Sequence, residues 1–138
     1  MRYLAFIHSE PSKDGEATCG ISFPDFPGCI SAGDSIEDVI ALGGEALALH
    51  IEGMIEDGEP LPKPRSTAEI IADPDLDEWR HGAEYAWVPV IMDQGSPRRV
   101  NISLDVGLLD AIDSEAKRRG MTRSALLASA ARKEISAA

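Results

Sequence analysis

The chain has 138 residues, 43% of them apolar and 27% charged, a balance that suits one ordinary domain, or a compact domain with a small module, and excludes fibrous and disordered classes. No apolar run reaches the roughly 18 residues of a membrane span, and the start from Met1 to Glu10 lacks the apolar core and cleavage site of a secretory leader, so a cytoplasmic chain without membrane contact is expected. The net charge of −11 hides two opposite parts: residues 1–97 hold 5 basic and 19 acidic side chains, net −14, and residues 98–138 hold 8 basic and 5 acidic, net +3.

Residues 2–8 are apolar on both alternating faces, Tyr3/Ala5/Ile7 and Leu4/Phe6, the pattern of a central strand buried on both sides. After the polar turn Pro11 to Gly15, residues 17–23 set Cys19/Ile21/Phe23 against Thr18/Gly20/Ser22, which predicts an antiparallel hairpin with the first strand. The prolines and glycines between Phe23 and Gly33 forbid a helix and predict a tight loop leading to a short extended piece. Asp34-Ser35-Ile36-Glu37 reads as a capping box with Asp34 as the cap. It opens a long helix whose stripe is Ile36, Val39, Ile40, Gly43, Leu47, Ile51 and Met54, stopped by Asp57-Gly58.

Pro60 to Pro64 must run extended, and Ser66-Thr67-Ala68-Glu69 is a second capping box, for a short helix through about Ala72 ended by Asp73-Pro74. A solvated acidic loop is expected next, then a strand over residues 85–92, where Pro89 points to an edge position or a bulge. Residues 1–92 thus read as an α+β body of one sheet and one main helix, and 93–97 as a linker. Cys19 and Cys29 are too few for a disulfide framework and lack zinc-ribbon spacing, so they are read as buried free thiols, with no metal and no cofactor.

Residues 98–138 differ in kind. Val100/Ile102/Leu104 alternate with Arg99/Asn101/Ser103, the pattern of a strand with one core face. Asp105 can cap a helix of about 106–119, Gly120 ends it, and Thr122 caps a second helix with Leu126, Leu127, Ala130, Ala131 and Ile135 on its apolar side. One strand and two helices cannot close a core, so this module is expected as an intertwined dimer whose strands pair into one ribbon. Pairing through the bodies as well would make a tetramer.

In such a ribbon the outward residues Arg99, Asn101 and Ser103 suit base edges in a major groove. Arg98, Thr122, Arg123 and Ser124 are the candidate phosphate contacts, the last three at a helix N-terminus whose free amides favour an anion. A helix-turn-helix alternative would offer the groove Ser124, Ala125, Ala128 and Ser129, none of them a strong base reader. An acidic body repels nucleic acid and attracts a basic partner, whereas a small basic module is the electrostatic footprint of phosphate contact.

Phe23-Pro24-Asp25-Phe26-Pro27-Gly28-Cys29, Gly33-Asp34-Ser35, the helix with Glu45-Ala46-Leu47, and Asp57-Gly58-Glu59-Pro60-Leu61-Pro62-Lys63-Pro64 resemble the HicB antitoxin family. Arg99-Val100-Asn101-Ile102-Ser103-Leu104 with Gly120-Met121-Thr122-Arg123-Ser124 resembles the ribbon-helix-helix module of one branch of that family. The resemblance implies a degraded ribonuclease-H-like body at 1–92 that neutralises a small basic, mRNA-cleaving HicA toxin. It also implies a module at 98–138 that dimerises and represses its own operator DNA. The sheet-connecting loop nominates Asp25 and Phe26 as toxin contacts, because a loop displays its residues. The alternative is a ribbon-helix-helix repressor whose acidic body binds another protein or a small ligand.

No enzymatic activity is expected. A metal-dependent nuclease needs converging carboxylates, and residues 2–8 carry none. His8, His50 and His81 are unpaired by spacing, with His50 beside the apolar stripe and read as packed. No nucleophile elbow or phosphate-cradling glycine loop occurs.

Overall fold

Arg2–Pro11 forms strand β1, and both of its faces are buried from Tyr3 to Ile7. It pairs antiparallel with β2 (Ala17–Ser22) on one side and with β4 (Glu84–Pro89) on the other, and β2 pairs antiparallel with β3 (Ile30–Gly33). The sheet order is β3-β2-β1-β4, so the doubly apolar strand is central, as its pattern required, and Pro89 sits on an edge strand. The computed structural model describes residues 1–15, 17–92 and 95–137, which leaves Asp93 and Gln94 of the expected linker outside the described residues. The chain divides into two compact units, Met1–Met92 and Asp93–Ala138.

The first face of the sheet, with Tyr3, Ala5, Ile7, Cys19, Ile21 and Val88, packs against helix α1 (Ile36–Glu56) through Val39, Gly43, Leu47 and Ile51. Gly43 lets helix and sheet approach closely, since a Cβ there would lie 2.7 Å from Ile21 Cδ1. The cap of α1 is Ser35, not Asp34: the Ser35 hydroxyl accepts from the Asp38 amide at 3.1 Å. Both residues are acceptable caps by type, and the register of the buried stripe on the sheet chooses between them. At the other end Gly58, at φ 71°, turns the chain so that the Glu59 amide reaches the Met54 carbonyl at 2.8 Å.

The second face is covered too, which the expected acidic loop did not foresee. Helix α2 (Thr67–Ala72) begins with the complete Ser66/Glu69 capping box, and a 3₁₀ turn (Pro74–Leu76) and helix α3 (Asp77–Arg80) follow it. Ile70 and Leu76, with Trp79 and Ala83 beside them, bury Leu4 and Phe6. The acidic residues Asp75, Asp77 and Glu78 face water while the apolar ones between them face the sheet. Cys19 and Cys29 are both buried and free of disulfides, and burial pushes the Cys29 thiol up.

In the second unit α4 (Val106–Arg118) is capped by Asp105, whose carboxylate accepts from the Gly107 and Leu108 amides, and α5 (Arg123–Ala137) follows. Gly120, at φ 66°, makes the turn between them, and the Met121 amide closes it on the Ala116 carbonyl at 2.8 Å. Residues 98–104 are not a strand within the single chain, contrary to the alternating pattern. A strand exists by pairing, and none of the described residues pairs with this segment.

Glu115 accepts from Arg118 and, at 2.6 Å, from Arg119, and these bonds hold its carboxyl down at about 2. The support this gives the end of α4 is therefore complete above the ordinary 4.5 and disappears as pH falls toward 2. Carboxyl NMR titration should place the Glu115 midpoint well below 4.5; a midpoint at 4.5 would mean the pairs do not persist in solution.

Candidate interaction surfaces

The loop between β2 and β3 does not display the two residues nominated as toxin contacts. Phe26 is 1% exposed, stacked edge-on against Tyr3 at 4.6 Å and near His50 at 5.8 Å. The Asp25 side chain is 2% exposed; its Oδ1 accepts from Arg65 Nε at 2.6 Å and its Oδ2 from the Arg65 amide at 3.1 Å. Arg65 also donates to Asp73 at 2.9 Å and to the Pro24 carbonyl at 3.2 Å; the Asp25 bond first, and then the Asp73 bond, raise its already high pKa.

The display that nominated Asp25 and Phe26 is thus absent: both side chains are buried and support the loop. The loop folds inward through the bonds from Phe26 N to Phe23 O and from Cys29 N to Phe26 O, with Gly28 at φ 89°. It becomes the dock for the proline-rich segment, which is also held by the Tyr3 hydroxyl donating to the Pro62 carbonyl at 2.7 Å. Burial, and then the nearby Asp25 charge, push the Tyr3 hydroxyl's pKa up. The Asp25–Arg65 pair had no local signal, because 40 residues separate its members.

Unit 1 instead leaves apolar side chains in solvent elsewhere, with Leu42, Leu49 and Ile55 on α1 and Tyr85 and Trp87 on β4. Among the described residues no group of three or more His, Cys, Asp or Glu side chains is placed to hold a metal ion, although β1 reaches far enough to include the exposed Glu10. Among the described residues no helix is long and apolar enough to cross a membrane.

In unit 2 Arg98, Arg99, Asn101 and Ser103 are all exposed, as are their alternating neighbours Val100 at 74% and Ile102 at 61%. Thr122 accepts from the Ala125 amide at 3.1 Å and so caps α5, with Ser124 exposed in its first turn. Arg123 is not free: Nε and one terminal nitrogen donate to the two oxygens of Asp113 at 2.7 and 2.8 Å, which lowers the Asp113 pKa and ties the start of α5 to α4.

The family described as HicB-like antitoxin of bacterial toxin-antitoxin systems matches residues 3–131. The chain belongs to that family. Among solved structures this HicB-like antitoxin is similar to the Burkholderia pseudomallei antitoxin HicB, at 34% identity and a TM-score of 0.54 over 95% of this chain and 96% of that one. A chain of the HicA3 and HicB3 toxin-antitoxin complex matches at 34% identity and a TM-score of 0.50, over 66% of this chain and 99% of that one. An uncharacterized 14.9 kDa protein of the rep-hol intergenic region of Haemophilus phage HP1 (strain HP1c1) is 36% identical over 93 residues, 67% of this chain and 68% of that protein. The α+β body with its four-stranded antiparallel sheet is therefore the fold of a HicB antitoxin.

Proposed function

We propose that this HicB-like antitoxin occludes a small basic HicA-type RNA-cleaving toxin with unit 1, and that unit 2 dimerises as a ribbon-helix-helix module that binds operator DNA and represses the antitoxin's own operon. The observation that carries the reading is the segment 98–104, where Val100 and Ile102 stand in solvent at 74% and 61% exposure and alternate with Arg99, Asn101 and Ser103. A second copy pairing along this segment would cover the apolar row against α4 and α5 of both chains and leave the polar row outward, shaped for a major groove. Val106 and Leu108, exposed on α4, extend the row that such a partner would cover.

In this reading unit 1, as a ribonuclease-H-like body, acts by binding rather than catalysis, and among its described residues no carboxylate cluster is placed to hold a metal ion. Its acidity supports a cationic, RNA-binding partner, which it would attract over distance and cover on contact. Arg98, Thr122 and Ser124 would meet phosphates, while Arg123 would contribute only through the donors Asp113 leaves open.

Purification of the full chain expressed with its operon neighbours, followed by an RNA-cleavage assay, tests the toxin half. The expected result is a co-eluting small basic protein, silent in the complex and active once freed. Recovery of the chain alone, still bound to its promoter, would replace the antitoxin half with a repressor that answers to another ligand.

Asn101→Ala tests the DNA half. It should weaken operator binding by about 1–3 kcal/mol and relax sequence preference, because a bidentate adenine contact is lost. Unchanged affinity and preference on a gel-shift titration would remove the ribbon from the groove.

A further inference from the structure

We infer that the solvent face of α1 is where the basic partner protein docks, an inference that rests on the antitoxin reading above and gives it a place in the fold. The 21 residues of α1 include no lysine or arginine. Its carboxylates Glu37, Asp38, Glu45, Glu52 and Glu56 are all exposed, and among the described residues none of them is in an ion pair. Solvated helices commonly offset such charges with cations three or four residues away; here that compensation is missing.

Two leucines stand in the same row. Leu42 and Leu49, seven residues apart and 40% and 69% exposed, lie on the side opposite the buried Val39, Gly43, Leu47 and Ile51. At about 100° per residue, Asp38, Leu42, Glu45, Leu49, Glu52 and Glu56 fall within an arc of about 80°. The inner stripe already completes the core of α1, so folding of unit 1 gives no reason for leucines outside it. Apolar anchors set in a row of charge are the arrangement of an interface, with the leucines supplying affinity and the carboxylates orientation and rate.

Charge selects the occupant. A second copy laid on this face would set the row's four uncompensated carboxylates against four more, and a nucleic acid would bring phosphates against them. A protein surface with lysines and arginines flanking a shallow apolar groove answers both features, and a long helix held rigidly on a sheet presents them pre-organised.

The test uses the full-length chain and, as probe, the small basic protein encoded in the same operon, titrated calorimetrically at two salt concentrations. Leu42→Ser/Leu49→Ser and Glu45→Lys/Glu52→Lys should each weaken binding about 30-fold or more. Raised salt should weaken the wild type and leave the lysine variant less affected. Both pairs are solvent-exposed, so the unfolding midpoint should not move, and Ile30→Ser, an exposed apolar residue on β3, should bind as the wild type does.

Wild-type affinity in both α1 variants would overturn the placement while leaving the antitoxin reading intact, as would loss of binding in Ile30→Ser alone. A change of oligomeric size with binding intact would make this face a self-association surface instead. Failure of the wild type to bind would overturn the antitoxin reading and the placement with it.

Discussion

Phe26→Ala is expected to destabilise unit 1 by about 3–5 kcal/mol, the range for deleting a fully buried aromatic ring. The ring fills the space between Tyr3, edge-on at 4.6 Å, and His50 at 5.8 Å, and the loop around it is closed by its own backbone bonds. Its loss would leave a cavity that those bonds keep from collapsing. A domain's whole stability is about 5–15 kcal/mol, so the variant should unfold at far lower denaturant than the wild type.

Both tryptophans, Trp79 and Trp87, belong to unit 1, so their fluorescence follows this unit's unfolding alone. Urea titration with that readout is the measurement. A loss below about 1 kcal/mol, together with loss of toxin binding, would return Phe26 to the role of a displayed contact.

Ile102→Glu is the second large effect: on the proposed ribbon-dimer reading it is expected to leave the chain monomeric and to weaken operator binding by at least about 100-fold. In a monomer the side chain is 61% exposed and a glutamate there would be nearly neutral. In a ribbon dimer the same substitution buries two carboxylates beside each other in an apolar layer, which costs several kcal/mol. The two states therefore predict opposite results from one substitution. Light scattering gives the mass and gel shift the affinity, and an unchanged dimer with full operator binding would dismiss ribbon pairing. The tryptophan transition of unit 1 should be untouched.

How much could be read from residues alone depended on the distance over which each feature is determined. The centrality of β1 followed from its two apolar faces, because alternation records burial directly. The helix α1, the Ser66/Glu69 cap of α2 and the turn at Gly120 followed from signals within a few residues. The acidic stretch before β4 was misread as a loop because Leu76 and Trp79 are spaced too sparsely among carboxylates to show a period, although both reach the sheet. The exposure of Asp25 and Phe26 was misread because loops usually display their residues, and this one turns inward onto partners from β1 and from residue 65.

The sequence by itself determined the α+β class, the order of the four strands with α1 and α2, the two buried thiols and the opposite charges of its two parts. These are sums over composition or patterns within one turn or one strand, where local sterics and burial leave few choices. Only the tertiary structure decided that Arg65 anchors Asp25, that α2 and α3 cover the second face, that Arg123 is held by Asp113, and that Leu42 and Leu49 are left outside the core. Each of these turns on which residues meet after the chain has folded back across tens of positions, or on which side of a helix the sheet occupies, and no local period records either.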